Sequence, residues 1–220
     1  MTPARVWHAI TLVVAVAALV LQTLLVLDGG RVLDETEVPP LATRMLRLFS
    51  YFTIQSNIAV AIAAAVLSAN PAASGRGFRV LRLDAVIGIT VTGLVAWFLL
   101  RPSMSLTGAD ALADTLLHIV VPALAFVGWL LFGPRPRIRL STIGLALIWP
   151  VLWLGCTLAM GEINGWYPYP FIDVGELGYP QTLINAAGVT ALFLALFALA
   201  ALIDRKLPAA PRGAPRLARG

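Results

Sequence analysis

The chain has 220 residues, of which 59% are hydrophobic and only 12% are charged. A soluble domain usually carries about 25% charged residues, so the composition excludes an ordinary soluble globular protein. A helix needs about 20 mostly apolar residues to cross a bilayer, and the mean hydropathy of +0.86 agrees with several such helices. Stretches such as Thr11–Leu21 do not alternate in polarity, which excludes a β-barrel. The sequence therefore predicts an all-α polytopic membrane protein.

Six apolar runs follow one another along the chain, each long enough to span a bilayer. In chain order they are Trp7–Leu27, Leu46–Ala69, Val80–Leu100, Ala111–Phe132, Leu140–Met160 and Leu183–Ile203. We predict a six-transmembrane-helix bundle over residues 1–206 and a disordered cytoplasmic tail over residues 207–220, which are rich in Pro, Arg and Gly. The first run is longer than a typical signal-peptide core, so we expect it to remain as a spanning helix.

The basic residues are concentrated in alternate connections between these runs, and the acidic residues in the others. The basic connections hold Arg5; Arg76, Arg79 and Arg82; Arg135, Arg137 and Arg139; and Arg205, Lys206, Arg212, Arg216 and Arg219. Cytoplasmic loops collect Lys and Arg, which predicts an N-in/C-in protein that crosses the plasma membrane several times. The pI near 10.1 then reflects topology, and we expect no nucleic-acid partner.

The second run carries the densest set of polar residues at membrane depth, in the segment SYFTIQSN. At about 100° per residue, four of these side chains fall on one face of a helix: Ser50, Thr53, Ser56 and Asn57. This polar stripe has two interpretations that the segment alone does not separate. The side chains either hydrogen-bond across a packed helix interface or line a functional site.

His118 lies in the fourth run, about 10 Å below the surface at which that run begins. Thr53 lies about 13 Å below the same surface, so the two depths agree within one helical turn. Histidine suits proton transfer at neutral pH, and a hydroxyl needs such a base to act as a nucleophile. We therefore predict that Thr53 and His118 lie within hydrogen-bond reach, or one water apart.

Asp114 precedes His118 by four residues and shares its helix face. It either orients the imidazole, as the third member of a triad does, or places a favourable charge in the first turn of the helix. Pro122 lacks the N–H that the His118 carbonyl would bind in a regular helix. His8 lies at the opposite side of the membrane, so it cannot share a haem iron with His118. We expect no cofactor and no metal.

The last external connection, Gly161–Pro180, reads GEINGWYPYPFIDVGELGYP and is rich in aromatic residues and proline. One interpretation is an interfacial aromatic belt. The other is an ordered cap folded over the external mouth of the bundle, because the segment is longer than a turn requires. The composition does not decide between them.

Three segments, YFTIQSNI, LLHIVVP and YPYPFID, together resemble a bacterial family of six-helix membrane proteins, the Pr-six-Pr family. That family is similar to the eukaryotic androgen-induced and androgen-dependent TFPI-regulating proteins. These eukaryotic proteins are threonine hydrolases that cleave fatty acid esters of hydroxy fatty acids. The resemblance implies that Thr53 matches their nucleophile and His118 its partner base.

The resemblance thus implies a membrane-embedded hydrolase whose substrate is a membrane lipid or a fatty acyl ester. Thr53 and His118 are the predicted catalytic residues, and Asp114 is a possible supporting residue. Hydrogen bonds to the oxyanion are expected from Asn57, Ser50 or Ser56. The alternative is a non-enzymatic membrane protein, a transporter or a sensor, that binds a lipid or small molecule in an outward-facing polar cavity.

Overall fold

The computed structural model describes residues 1–29 and 38–211 of the chain. Within these residues six helical spans are long and apolar enough to cross a membrane. They are Pro3–Leu27, Phe52–Ala69, Arg76–Leu100, Gly108–Phe132, Leu140–Asn164 and Val174–Lys206. The prediction of an all-α bundle with six spans is confirmed. Residues 212–220, most of the predicted disordered tail, lie outside the described residues.

The described residues form nine α-helices, because several spans are interrupted. In chain order they are α1 (Pro3–Leu27), α2 (Leu41–Ser50), α3 (Phe52–Ala69), α4 (Arg76–Val95), α5 (Gly108–Thr115), α6 (Val121–Phe132), α7 (Leu140–Ala146), α8 (Ile148–Asn164) and α9 (Val174–Lys206). One π-helical turn, Ala96–Leu100, extends α4, and another, Leu116–Val120, joins α5 to α6.

The second apolar run is not one helix. The backbone at Tyr51 is extended, with φ −63° and ψ 129°, so α2 ends at Ser50 and α3 begins at Phe52. The prediction of a continuous helix over Leu46–Ala69 is therefore wrong at this point. The break exposes the first N–H groups of α3, which have no partner within the helix, and it separates Ser50 from the residues that follow.

Two other interruptions have proline as their cause. Pro122 cannot donate to the His118 carbonyl, and the chain forms a π-helical turn there before α6 begins. Pro150 cannot donate to the carbonyl of Ala146, the residue at which α7 ends. In α9, Gly178 has a φ of 72°, two residues before Pro180.

The tightest packing is between α1 and α3, with α4 and α6 against them. Alanines at the interface, among them Ala15, Ala18 and Ala63, are fully buried. Small residues let membrane helices approach closely. In contrast, α8 and α9 present mostly exposed apolar side chains, as expected for surfaces that face lipid.

The two ends of the bundle differ in charge. The arginine-rich end contains the start of α1, the start of α4, the connection 133–139 and the end of α9. Residues 207–211 belong to this end, where Ala210 pairs with Arg135 through two backbone hydrogen bonds of 2.8 and 3.1 Å. The opposite end contains the starts of α3 and α5 and the connection between α8 and α9, and we call it the threonine end after Thr53.

Candidate active site at the threonine end

Thr53 and His118 are in direct contact. The distance between Thr53 Oγ1 and His118 Nε2 is 3.2 Å, which is within hydrogen-bond reach. Thr53 is the second residue of α3, and His118 is the middle residue of the π-helical turn between α5 and α6. The contact expected from matching depths is present.

The π-helical turn places His118 at this position. Such turns occur frequently at functional sites, because the extra residue re-aims a side chain. Helix α4 supports the turn closely at Gly93, where an added Cβ would lie 2.9 Å from the His118 carbonyl oxygen. Only a residue without a side chain lets the two backbones approach this far.

Asp114 orients the imidazole. Its Oδ1 lies 2.8 Å from His118 Nδ1, and its Oδ2 accepts a hydrogen bond of 2.7 Å from Arg101 Nη2. The Asp114 carbonyl oxygen lies 3.1 Å from the same Nδ1. Both neighbours of Nδ1 are acceptors, so the neutral imidazole carries its proton there and leaves Nε2 free to accept from Thr53. Of the two interpretations of Asp114, this geometry favours the orienting one.

Arg101 completes the charged part of the site. Besides its ion pair with Asp114, its guanidinium lies over the Trp97 ring, 5.1 Å from the centroid. The side chain is therefore held on two sides. An arginine fixed in this way keeps the Asp114 carboxylate in place, and the carboxylate in turn fixes the ring of His118.

Tyr169 is a site residue that sequence reasoning missed. Its hydroxyl accepts a hydrogen bond of 3.2 Å from the Thr53 backbone N–H and lies 3.2 Å from Thr53 Oγ1. The hydroxyl is thus held at the N-terminus of α3, where the helix leaves donors unsatisfied. Tyr169 is only 6% exposed, and burial raises the pKa of its phenol. A raised pKa keeps the group protonated, so it remains a donor at neutral pH.

The aromatic segment that carries Tyr169 is ordered and folds into the mouth of the bundle. Tyr169 stacks on Phe171 at 5.3 Å and meets the edges or faces of Tyr51 at 5.5 Å and Trp153 at 5.9 Å. Pro168 and Ile172 are fully buried. These contacts favour the interpretation of this connection as a cap rather than as an interfacial belt.

The polar stripe predicted on the second run does not form a single face. Ser50 lies on α2 and donates to the Arg47 carbonyl. Ser56 is fully buried and bonds the Phe52 carbonyl at 2.5 Å and Thr92 Oγ1 at 2.9 Å. Asn57 Nδ2 donates to the carbonyls of Thr53 and Leu117. These hydrogen bonds brace the helices. The expectation that the three side chains serve the oxyanion stays a prediction.

Two cavities meet at Thr53. One, of about 780 Å³, extends between α3, α4, α8 and α9, and its lining is almost entirely apolar, for example Val91, Leu154 and Phe193. The other, of about 690 Å³, is more polar and includes Gln22, Arg101, Asp110, Asp114 and His118. Thr53, Leu100 and Tyr169 line both cavities. The Thr53 hydroxyl therefore lies between an apolar chamber and a polar one.

No protein-family model, no curated protein and no solved structure matches the chain. The resemblance to the Pr-six-Pr family and to the eukaryotic threonine hydrolases therefore stays a prediction. What the site can do rests on the geometry around Thr53.

Proposed function

We propose that the chain is a membrane-embedded hydrolase of fatty acyl esters that uses Thr53 as its nucleophile. The observation that carries this proposal is the chain of hydrogen bonds from Thr53 through His118 to Asp114. Nucleophile, base and orienting carboxylate are the three parts of a catalytic triad, which is recognised by geometry and roles rather than by sequence order. The apolar chamber beside Thr53 supports a lipid substrate.

In the first step Thr53 Oγ1 attacks the ester carbonyl carbon, and His118 Nε2 takes the hydroxyl proton. The imidazolium that forms keeps its Nδ1–H on Asp114, whose carboxylate stabilises the new charge. The carbonyl oxygen becomes an oxyanion. Tyr169 is the donor best placed to stabilise it, because its hydroxyl already contacts Thr53 Oγ1.

In the second step the tetrahedral intermediate collapses and the bond to the leaving oxygen breaks. His118 returns its proton to that oxygen, so an alcohol leaves and an acyl-threonine ester remains. A water molecule, deprotonated by His118 in the same way, then attacks the acyl group. Thr53 recovers its proton and the fatty acid is released.

The two cavities suggest how a lipid ester would be placed. An acyl chain would occupy the chamber lined by residues such as Val91 and Phe193, where burial of apolar surface favours it. The alcohol part and the attacking water would occupy the polar cavity beside Arg101. The ester carbonyl would then lie between them at Thr53.

The test is labelling with a lipophilic fluorophosphonate, followed by mass spectrometry of the modified residue. We expect one adduct on Thr53 of the wild type and none in Thr53→Val, which keeps the shape of the side chain. Thr92→Val is the matched control, since Thr92 is buried against the same apolar chamber but does not contact His118. Absence of labelling and of turnover, with saturable lipid binding, would instead favour the binding protein.

We also propose that the protein lies in the plasma membrane with its arginine-rich end facing the cytoplasm, in agreement with the positive-inside rule. Reporter fusions should then place Asp110 and Gly175 outside and Arg137 inside. Each reporter lies on one side of the membrane or the other, so its signal should be either present or absent. Equal labelling of Arg76→Cys and Asp110→Cys by a membrane-impermeant thiol reagent added outside would contradict this orientation, since both positions are exposed.

Gly93→Ala should slow hydrolysis although Gly93 does not contact the reacting atoms. The new Cβ would lie 2.9 Å from the His118 carbonyl oxygen, so the turn that holds the imidazole must move. A displacement of about 1 Å can cost on the order of 10²-fold in rate. Gly155→Ala is the control, because nothing lies within 4 Å of an added Cβ there. Equal rates in the two variants would show that the turn tolerates the shift.

A further inference from the structure

A third pocket lies at the arginine-rich end, remote from Thr53. Its volume is about 380 Å³, and three arginines line it: Arg79 and Arg82 from α4, and Arg137 from the connection between α6 and α7. Apolar residues complete the wall, among them Phe78, Trp129 and Ala200. Three guanidinium groups around one pocket constitute a strong local positive charge.

The guanidinium of Arg82 is buried without enough partners. Arg82 is only 7% exposed, and its Nε and Nη2 have no hydrogen-bond partner among the described residues. Arg137 is also 7% exposed, and its Nε has no partner in the same part of the chain. A buried charge without partners is costly, and buried charges in proteins are normally paired. Two such groups at one pocket leave several N–H donors available to an anion.

The nearby acidic residues do not supply that anion. Asp204 Oδ2 accepts the backbone N–H groups of Arg137 and Ile138, at 2.7 and 2.9 Å, and Asp204 does not line the pocket. Asp84 is two residues from Arg82, about 200° around the helix, and lines a different cavity. Burial lowers the pKa of the Arg137 guanidinium and nearby Arg79 lowers it further, against the opposing effect of Asp204.

Arg135 differs from the arginines of the pocket, because its guanidinium has hydrogen-bond partners. Its Nε donates to the Pro208 carbonyl at 2.9 Å, and its Nη1 donates to the Trp129 carbonyl at 2.8 Å. Arg135 is not part of the pocket lining. The unsatisfied donors of Arg82 and Arg137 are therefore a property of the pocket rather than of the arginine-rich end as a whole.

We propose that this pocket binds a phosphate-class anion, held by the guanidinium groups of Arg82 and Arg137 with Arg79 at the rim. Guanidinium groups match phosphate oxygens with paired N–H donors. The phosphate could be the headgroup of an anionic phospholipid or inorganic phosphate, since both present the same oxygens. The site is separate from the proposed hydrolase site and does not depend on it.

The experiment compares thermal unfolding of purified protein in nanodiscs of phosphatidylcholine alone and with phosphatidylglycerol, and in neutral detergent titrated with inorganic phosphate. Native mass spectrometry counts retained lipid. A ligand that binds only the folded state raises the unfolding temperature. We expect wild type to be stabilised by phosphatidylglycerol, by phosphate, or by both, and the two arms identify the source of the anion.

Arg82→Met and Arg137→Gln should lose at least about tenfold in affinity for that ligand, which corresponds to one charge-assisted contact. Arg76→Gln is the matched control, because Arg76 is exposed at the same end and is not part of the pocket. In phosphatidylcholine Arg82→Met should unfold at the same or a higher temperature than wild type, since it removes an uncompensated buried charge.

Several results would overturn the proposal. Wild type that gains no stability from either anion has no such site. Equal losses of affinity in Arg76→Gln and Arg137→Gln would indicate only general attraction of an arginine-rich surface to anionic lipid. If Arg82→Met does not fold, Arg137→Gln and Arg79→Gln carry the same comparison with Arg76→Gln.

Discussion

Thr53→Ala should abolish hydrolysis of a long-chain acyl ester while leaving the fold nearly intact. The substitution removes the proposed nucleophile, and loss of a nucleophile or its base costs on the order of 10⁴- to 10⁶-fold in rate. The structural loss is small, because the substitution removes the hydrogen bonds to His118 and Tyr169 and one methyl group, each worth about 1 kcal/mol. Turnover in detergent and the unfolding temperature measure the two effects separately.

His118→Ala should reduce turnover to a similar extent, and the double variant should be little worse than either single variant. Groups that act as a unit are strongly non-additive. Thr92→Val serves again as the control that removes a buried hydroxyl without touching His118. Multiplicative losses of lipid affinity, without turnover in the wild type, would instead be the behaviour of a binding protein.

The spans could be predicted from the sequence because hydropathy acts over about 20 residues and tolerates local errors. The break between α2 and α3 could not. The backbone of Tyr51 is extended, although no proline or glycine lies next to it. The local sequence therefore contains no residue that predicts the end of α2. The prediction of a polar stripe depends on a regular rotation of about 100° per residue from Ser50 to Asn57. Because the helix is interrupted at Tyr51, Ser50 does not lie on the same helix face as Thr53.

The predicted contact between Thr53 and His118 is present, although the matching depths assume a second helix without a break. In the structure Thr53 is the second residue of the span Phe52–Ala69, whereas His118 is the eleventh residue of the span Gly108–Phe132. Depth in the membrane also does not fix the direction of a side chain around the bundle. The same reasoning left Asp114 between two roles, and only the distances to His118 and Arg101 distinguish them.

Tyr169 could not be assigned because it lies in a connection rather than in a span. It is 116 residues away from Thr53 in the chain, and no periodicity relates the two. The signal that was available is the density of aromatic residues and prolines around it, which indicated an ordered cap as one of two interpretations. The contacts of Tyr169 with Tyr51 and Trp153 explain how the cap holds the Tyr169 hydroxyl beside Thr53.

Tyr169→Phe should reduce the rate of hydrolysis by roughly 10²- to 10³-fold, the usual effect of removing one donor to an oxyanion. The ring contacts with Tyr51, Trp153 and Phe171 do not involve the hydroxyl, so the cap should stay in place. The loss should appear mainly in kcat rather than in KM, because the donor acts on charge that develops in the transition state. Tyr179→Phe is the control, since that exposed tyrosine bonds Glu162 instead.

The pH dependence of the hydrolysis rate distinguishes two roles of the Tyr169 hydroxyl: donation to the oxyanion, or only stabilisation of the N-terminus of α3. Burial raises the pKa of Tyr169 above the ordinary tyrosine value of about 10. The protonated phenol is the form that donates, so its contribution is fully present at neutral pH and is lost only as pH rises through that raised pKa. Wild type should therefore lose activity in this alkaline range, and Tyr169→Phe should not show that loss. If Tyr169→Phe hydrolyses esters at the wild-type rate, the hydroxyl only braces the N-terminus of α3, and the oxyanion must be stabilised by the backbone N–H of Thr53 that the hydroxyl now occupies.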